Sequence, residues 1–161
     1  MNSCRHALVS AAAPVRVAIA DRHPRIRRAL HVLLELEPRL SVVFVAGDPA
    51  ELETALARHA PDVLVLDPRL DGDEDFALVR RLRARAPTTQ IVILRMDSNP
   101  LLAQLALEAG AICFVLKDRA DTELAPAIHC AAAGREFVSP AVAASLVLVR
   151  ANSSMLARAA Q

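Results

Sequence analysis

Short apolar runs alternate along this chain with longer stretches whose apolar positions recur three and four residues apart. That alternation predicts repeated strand–helix units around a parallel sheet. Strands fall near 15–20, 42–46, 63–66, 91–94 and 112–116, all rich in Val, Ile and Leu, as strands covered on both faces should be. Between them Ile26, Leu30, Leu33 and Leu34, then Leu52 and Leu56, then Phe76, Val79 and Leu82 mark the inward stripes of three helices. Pro38, Pro61 and Pro87 punctuate their ends. A fourth helix over 101–109 stops at Gly110 and a fifth over 123–133 stops at Gly134, because glycine readily takes the left-handed turn that closes a helix. Ser139 before Pro140 reads as a cap followed by a first-turn proline, opening a sixth helix to about residue 150. The expected fold class is α/β, a five-stranded parallel sheet with helices on both faces and an extra C-terminal helix.

Length and composition narrow this further. A chain of 161 residues, 54% hydrophobic and 23% charged, buries one substantial core and is too short for a two-domain enzyme. Residues 1–14 read as a flexible tail, 15–135 as the domain, 136–150 as a linker helix and 151–161 as a second tail without a periodic core. Lys and Arg total 19 against 18 Asp and Glu, and aromatics are 2% with no Trp or Tyr. With neither a basic excess nor a stacking platform, and no recognition helix after the sixth helix, direct nucleic-acid binding is not expected. Cys4, Cys113 and Cys130 lack metal-ligand spacing and read as thiols of a reducing, cytoplasmic compartment. His23, His31, His59 and His129 show no ligand spacing either, and read as solvated or capping residues. The apolar run at 141–149 is too short to cross a bilayer, so no membrane partner is expected.

The chemistry gathers at strand ends. The first strand ends on Asp21, the third on Asp67, and the fifth on Lys117, the one lysine in the chain. Parallel strands of an α/β sheet bring their carboxyl ends to a single crevice, so two acids and an ammonium should meet there.

With these three residues placed, the stretch from Val15 to about Leu146 resembles the receiver domain of bacterial two-component response regulators. It is most similar to receivers of the NarL/LuxR type, through Ile19-Ala-Asp-Arg-His-Pro24, Leu116-Lys-Asp118 and Gly134-Arg-Glu-Phe-Val-Ser-Pro140. The resemblance implies a flavodoxin-like strand order of 2-1-3-4-5. It implies that Asp67 accepts a phosphoryl group from a histidine kinase, and that Asp21, Asp67 and the backbone carbonyl of Arg69 hold Mg²⁺. Lys117 would contact a phosphoryl oxygen, and Phe114 would be the switch aromatic. A hard dication takes oxygen ligands and offsets the charge that builds on a transferring phosphoryl group.

Two positions depart from that pattern. Arg22 stands where the family has a second acid, and Arg95 stands where it has a small hydroxyl after the fourth strand. Two acids against three cations would make the crevice mildly cationic, and a reversed charge ~4 Å from an ion costs about 4 kcal/mol at an effective dielectric of ~20. Arg22 either lays its fork on Asp67, the expected placement, or points to solvent. Asp71, Asp73 and Asp75 are expected to cap the third helix, with Asp71 or Asp73 as a second source of metal ligands. The Mg²⁺ site is therefore expected to be weak or absent.

The expected function is a receiver module of phosphorelay signalling that works by protein contact, with phosphorylation of Asp67 weakened or lost. The alternative is an ordinary phospho-accepting receiver that regulates transcription through a helix-turn-helix outside this sequence. A haloacid-dehalogenase-like phosphatase is disfavoured, since the second acid needed two residues after Asp67 is Arg69. Expected partners are a histidine kinase or other signalling protein, and a second copy through the fourth helix, fifth strand and fifth helix. Leu101, Leu102, Leu105 and Leu107 are read mostly as core.

Overall fold

The computed structural model describes residues 12–72 and 75–159. Six parallel strands form one sheet: β1 (Val15–Ala20), β2 (Leu40–Ala46), β3 (Val63–Leu66), β4 (Gln90–Arg95), β5 (Cys113–Leu116) and β6 (Phe137–Val138). Their order is β2-β1-β3-β4-β5-β6. The expected five-strand order holds, and β6 adds a two-residue edge beside β5, pairing Cys113 with Phe137 and Phe114 with Val138.

Six helices cover the faces: α1 (Pro24–Glu35), α2 (Pro49–His59), α3 (Ala77–Arg85), α4 (Pro100–Ala109), α5 (Ala120–Ala132) and α6 (Pro140–Ala159). Local chemistry sets their ends. Asp48 accepts from the Glu51 N–H at 2.9 Å to start α2, and Asn99 accepts from the Leu101 N–H at 3.0 Å to start α4. Gly110 closes α4 at φ +117°, and a Cβ there would lie 2.9 Å from Arg83 Cγ, so this turn needs glycine twice over. Asp75 accepts from the Ala77 N–H at 2.9 Å at the head of α3, as an acid of that loop was expected to do. Asp73 lies outside the described residues. Phe76 precedes the helix in the left-handed conformation (φ 59°, ψ 21°), with its ring buried in the core instead of forming part of the helical stripe.

The sheet separates two apolar layers. Leu52, Leu64, Leu78, Ile93 and Phe114 belong to one, under α2, α3, α4 and α6; Ile19, Leu34, Val92, Leu124 and Ile128 belong to the other, under α1 and α5. Burying each such side chain contributes roughly 1.5–3 kcal/mol.

Two expectations about α4 and α6 are corrected. The face α4 turns inward is alanine, Ala103, Ala106 and Ala109, while Leu101 and Leu105 stand exposed and Leu102 and Leu107 pack only partly against the core. The 3.6-residue period places the small side chains on the sheet, where a helix can approach closely. The sixth helix runs to Ala159, beyond the expected end near residue 150. Its first half packs on α4 through Val142 and Leu146, and residues 151–159 are exposed helix. Ala, Leu, Met and Arg sustain the helix by propensity where no core asks for it. At 20 residues and a mean hydropathy of 1.3, α6 is long and apolar enough to cross a membrane by length and composition alone, which the nine-residue run did not suggest.

Candidate functional site

The sheet's own hydrogen bonds place the site. Beyond the ends of β1 and β3, the Asp21 N–H donates to the Ala46 carbonyl at 3.2 Å and the Asp67 N–H donates to the Ala20 carbonyl at 2.9 Å. Both carboxylates are thus fixed at the carboxyl edge, with Asp21 1% and Asp67 4% exposed. Lys117 follows β5 and reaches across between them. Its Nζ lies 2.5 Å from Asp21 Oδ2 and 2.6 Å from Asp67 Oδ2, and its side chain is 11% exposed. One ammonium bridges two buried carboxylates.

The remaining carboxylate oxygens are also engaged. Asp67 Oδ1 accepts from the Arg69 N–H at 2.9 Å, capping a single 3₁₀ turn over Pro68–Asp71. Asp21 Oδ1 accepts from the His23 N–H at 2.8 Å and lies 3.0 Å from His23 Nδ1. Burial is the largest single influence on Asp21 and pushes its carboxyl upward; the hydrogen bond from Lys117, the His23 N–H and the Lys117 charge together outweigh it and hold the group below its ordinary value.

Arg22 does not lie on Asp67. Its side chain is exposed and makes no hydrogen bond or ion pair with the described residues. The expected fork is therefore corrected: Lys117 fills the position between the acids, and α1 begins just after Arg22, turning it outward. Arg95, the last residue of β4, is 5% exposed and lines a 310 Å³ cavity with Asp67, Arg69, Met96, Asp97 and Lys117. With Arg22 turned outward, three acids, Asp21, Asp67 and Asp97, against three cations, Lys117, Arg69 and Arg95, leave this crevice close to neutral, not cationic. Phe114 is wholly buried in the layer beneath, in the inward position.

Two neighbours, His23 and Arg27, were not read from the sequence as part of the site. His23, expected to be a solvated or capping residue without ligand spacing, is half exposed but joins Asp21 and Asp67. His23 brings a ring nitrogen to Asp21, and its only signal was its place two residues later. Arg27 donates from Nη1 to the Asp21 carbonyl at 2.7 Å and lies against Gly47, where a Cβ would come within 2.9 Å of the same nitrogen. Nothing in the sequence pattern marked it. Among the described His, Cys, Asp and Glu side chains, Asp21, His23 and Asp67 each offer a ligand atom within 4.8 Å of one another. The expected Arg69 carbonyl accepts from the Gly72 N–H at 3.0 Å. Two carboxylates with water completing the octahedron is a donor set of the kind Mg²⁺ takes, and here both carboxylates are held by the Lys117 ammonium. The ammonium already satisfies the two carboxylates.

A doubly wound sheet whose first, third and fifth strands deliver two acids and a lysine to one crevice defines a class, the phosphorelay receiver. Residues 17–129 match the response regulator receiver domain family, and this chain belongs to it. It is 37% identical over 133 residues to the DNA-binding transcriptional activator DevR/DosR of Mycobacterium tuberculosis, covering 83% of this chain and 61% of that protein. It is 35% identical over 131 residues to the nitrate/nitrite response regulator NarP of Escherichia coli, covering 81% and 61%. Among solved structures, a LuxR-family two-component response regulator from Aurantimonas sp. SI85-9A1 superposes with a TM-score of 0.78 at 30% identity, over 86% of this chain and 99% of that one. The receiver domain of NarL from Mycobacterium tuberculosis gives 0.70 at 32% identity, over 76% and 99%. This chain spans about three-fifths of the length of the full-length relatives.

Proposed function

We propose that this receiver signals chiefly through protein contact, with Mg²⁺-dependent phosphorylation of Asp67 weakened by the residues around it. The observation that carries this reading is the double ion pair of Lys117 with Asp21 and Asp67, beside an arginine that faces solvent where a second acid would complete a metal site. For Asp67 to attack a phosphoryl donor, Lys117 must release an oxygen that it holds at 2.6 Å. A dication entering the crevice has to compete with that ammonium and meets Arg95 nearby, so its attraction to two carboxylates is largely offset. Asp67, Lys117 and Arg69 remain in place to accept and position a phosphoryl group. The coupling, however, loses the small hydroxyl that Arg95 replaces. The partners of such a module are a histidine kinase or another signalling protein.

A second reading is favoured by one observation. Because Arg22 leaves the crevice, Asp21 and Asp67 keep a path to a metal once Lys117 moves, as an ordinary phospho-accepting receiver requires.

Intact mass after incubation with acetyl phosphate and Mg²⁺ separates the two. The expected result is little phosphate gain compared with the NarL receiver run alongside. A stoichiometric gain, lost in Asp67→Asn, overturns the weakened reading and establishes the ordinary one.

A further inference from the structure

The distal helix carries a pattern that the signalling site does not use. Along α6 the side facing the body holds Val142 and Leu146, both buried, with Arg150 hydrogen-bonded to Gln104 of α4 at 3.2 Å and to Glu136 at 3.1 Å. On the opposite side, spaced three and four apart, stand Ala141, Ala144, Leu148, Ala151, Met155 and Arg158, all exposed. Leu148 is 67% and Met155 70% exposed. This is a heptad seam, the spacing by which one helix buries a stripe against another. The flanking positions Ser145, Val147, Asn152 and Ser154 carry no charge, and α6 contains no acidic residue.

We propose that α6 is a self-association surface, pairing antiparallel with the α6 of a second copy of this chain. Side-chain size and charge select that partner and that direction. With the two-fold axis between residues 149 and 150, Leu148 meets Ala151 of the second copy and Met155 meets Ala144, so each large side chain faces a small one. That arrangement fills the seam evenly. A parallel pair instead stacks Leu148 on Leu148 and Met155 on Met155, leaves the alanine layers hollow, and sets the two Arg158 cations side by side. The antiparallel pair separates those cations by the length of the seam and opposes the helix dipoles. Each receiver body then lies outside the pair, because its contact with α6 is on the opposite face.

The area sets the strength. The seam from 141 to 158 is about 26 Å long at ~1.5 Å per residue, a strip well below the ~800 Å² per partner of a standard stable interface. The dimer is therefore concentration-dependent, with dissociation in the micromolar range or weaker. It also uses a surface separate from Leu105 on α4, which belongs to the fourth-helix face expected from the sequence.

Sedimentation equilibrium of the full chain, from low micromolar to several hundred micromolar, tests this. A monomer–dimer equilibrium is expected, weakened about tenfold or more by Leu148→Glu and by Met155→Glu and little changed by Leu105→Glu. These residues are exposed, so an unchanged melting temperature of the dilute monomer serves as the folding control. Direction is read by mixing Leu148→Cys and Ala151→Cys chains in a Cys4→Ser, Cys130→Ser background: an antiparallel seam cross-links the two variants to each other in preference to themselves. A monomer at every concentration overturns the proposal. So does a dimer sensitive to Leu105→Glu alone, or a chain that stays monomeric yet binds vesicles of phosphatidylcholine and phosphatidylserine through α6.

Discussion

The crevice at the carboxyl edge and the outer half of α6 invert the usual division of a protein into dry apolar interior and wet polar surface. In the crevice Asp21, Asp67 and Lys117 are almost dry; on α6, Leu148, Met155 and Leu156 are 67–73% exposed. Asp21, Asp67 and Lys117 have their counter-charges within hydrogen-bond distance, so their desolvation is met internally. The helix is the reverse case. Its residues form helix readily, yet the receiver body covers only one side of its first half, leaving Leu148, Met155 and Leu156 exposed.

The largest test of this contrast is removal of the bridging ammonium. Lys117→Ala removes the ammonium that hydrogen-bonds both buried carboxylates, a change that costs about 3–5 kcal/mol when one partner of a buried pair is lost. Urea denaturation at neutral pH should show a midpoint shift of that size, and adding Asp21→Asn to Lys117→Ala should recover part of it. A loss below about 1 kcal/mol would mean that water, not Lys117, carries the solvation of the pair.

Next in size is the comparison of two leucines one helical face apart. Leu146→Ala removes a side chain 3% exposed at the α4–α6 contact and should cost about 2–3 kcal/mol, near the lower end for core leucines because the contact lies at the edge of the layer. Leu148→Ala should change the dilute monomer by less than about 0.5 kcal/mol. Equal effects at both positions would mean that α6 in solution is rotated or detached from α4.

A smaller effect lies on the acid side. The folded-state value of Asp21 is below its ordinary 3.8, so as pH falls the unfolded chain takes up this proton first. The stability that ionised Asp21 supplies is therefore complete above 3.8 and disappears as pH drops through the lower folded value. Unfolding free energies of the parent and Asp21→Asn should differ by a constant amount near neutrality and converge below 3.8. A gap that stays constant through that range would show that another group governs the acid limb.

How much of this could be read from residues alone follows from what each feature depends on. The strands were legible because Val-Leu-Val-Leu at 63–66 and Ile-Val-Ile-Leu at 91–94 can be buried on both faces in few other ways, and the strand-end placement of Asp21, Asp67 and Lys117 followed from them. β6 was not legible: two half-buried residues carry no period, and their pairing depends on β5 being there. The α4 leucines misled because hydrophobicity ranks leucine above alanine, whereas close approach to the sheet selects the smaller residue. Ser139 was read as a cap, but its hydroxyl accepts from the Leu116 N–H at 3.0 Å and donates to Glu123, while its carbonyl accepts the first bonds of α6. The direction of Arg22 was open because a long side chain at a helix entrance has a solvated rotamer of nearly equal cost, and charge counting cannot choose between the two.

That last point gives the smallest effect on stability and the sharpest on chemistry. Arg22 is solvated, so Arg22→Asp should alter unfolding by less than about 0.5 kcal/mol. It nevertheless returns an acid to the rim of the crevice, adding a hard oxygen donor for a dication and drawing Lys117 away from a fixed hold on Asp67. Mg²⁺ titration followed by calorimetry should then show tighter uptake than in the parent, and acetyl phosphate should load Asp67 further. Arg95→Thr should add to the effect, since a small hydroxyl leaves room for phosphoryl oxygens where the guanidinium now lines the cavity. If Arg22→Asp binds Mg²⁺ no better than the parent, the resistance of the crevice lies in the Lys117 bridge itself, and the missing acid is a consequence of that bridge, not its cause.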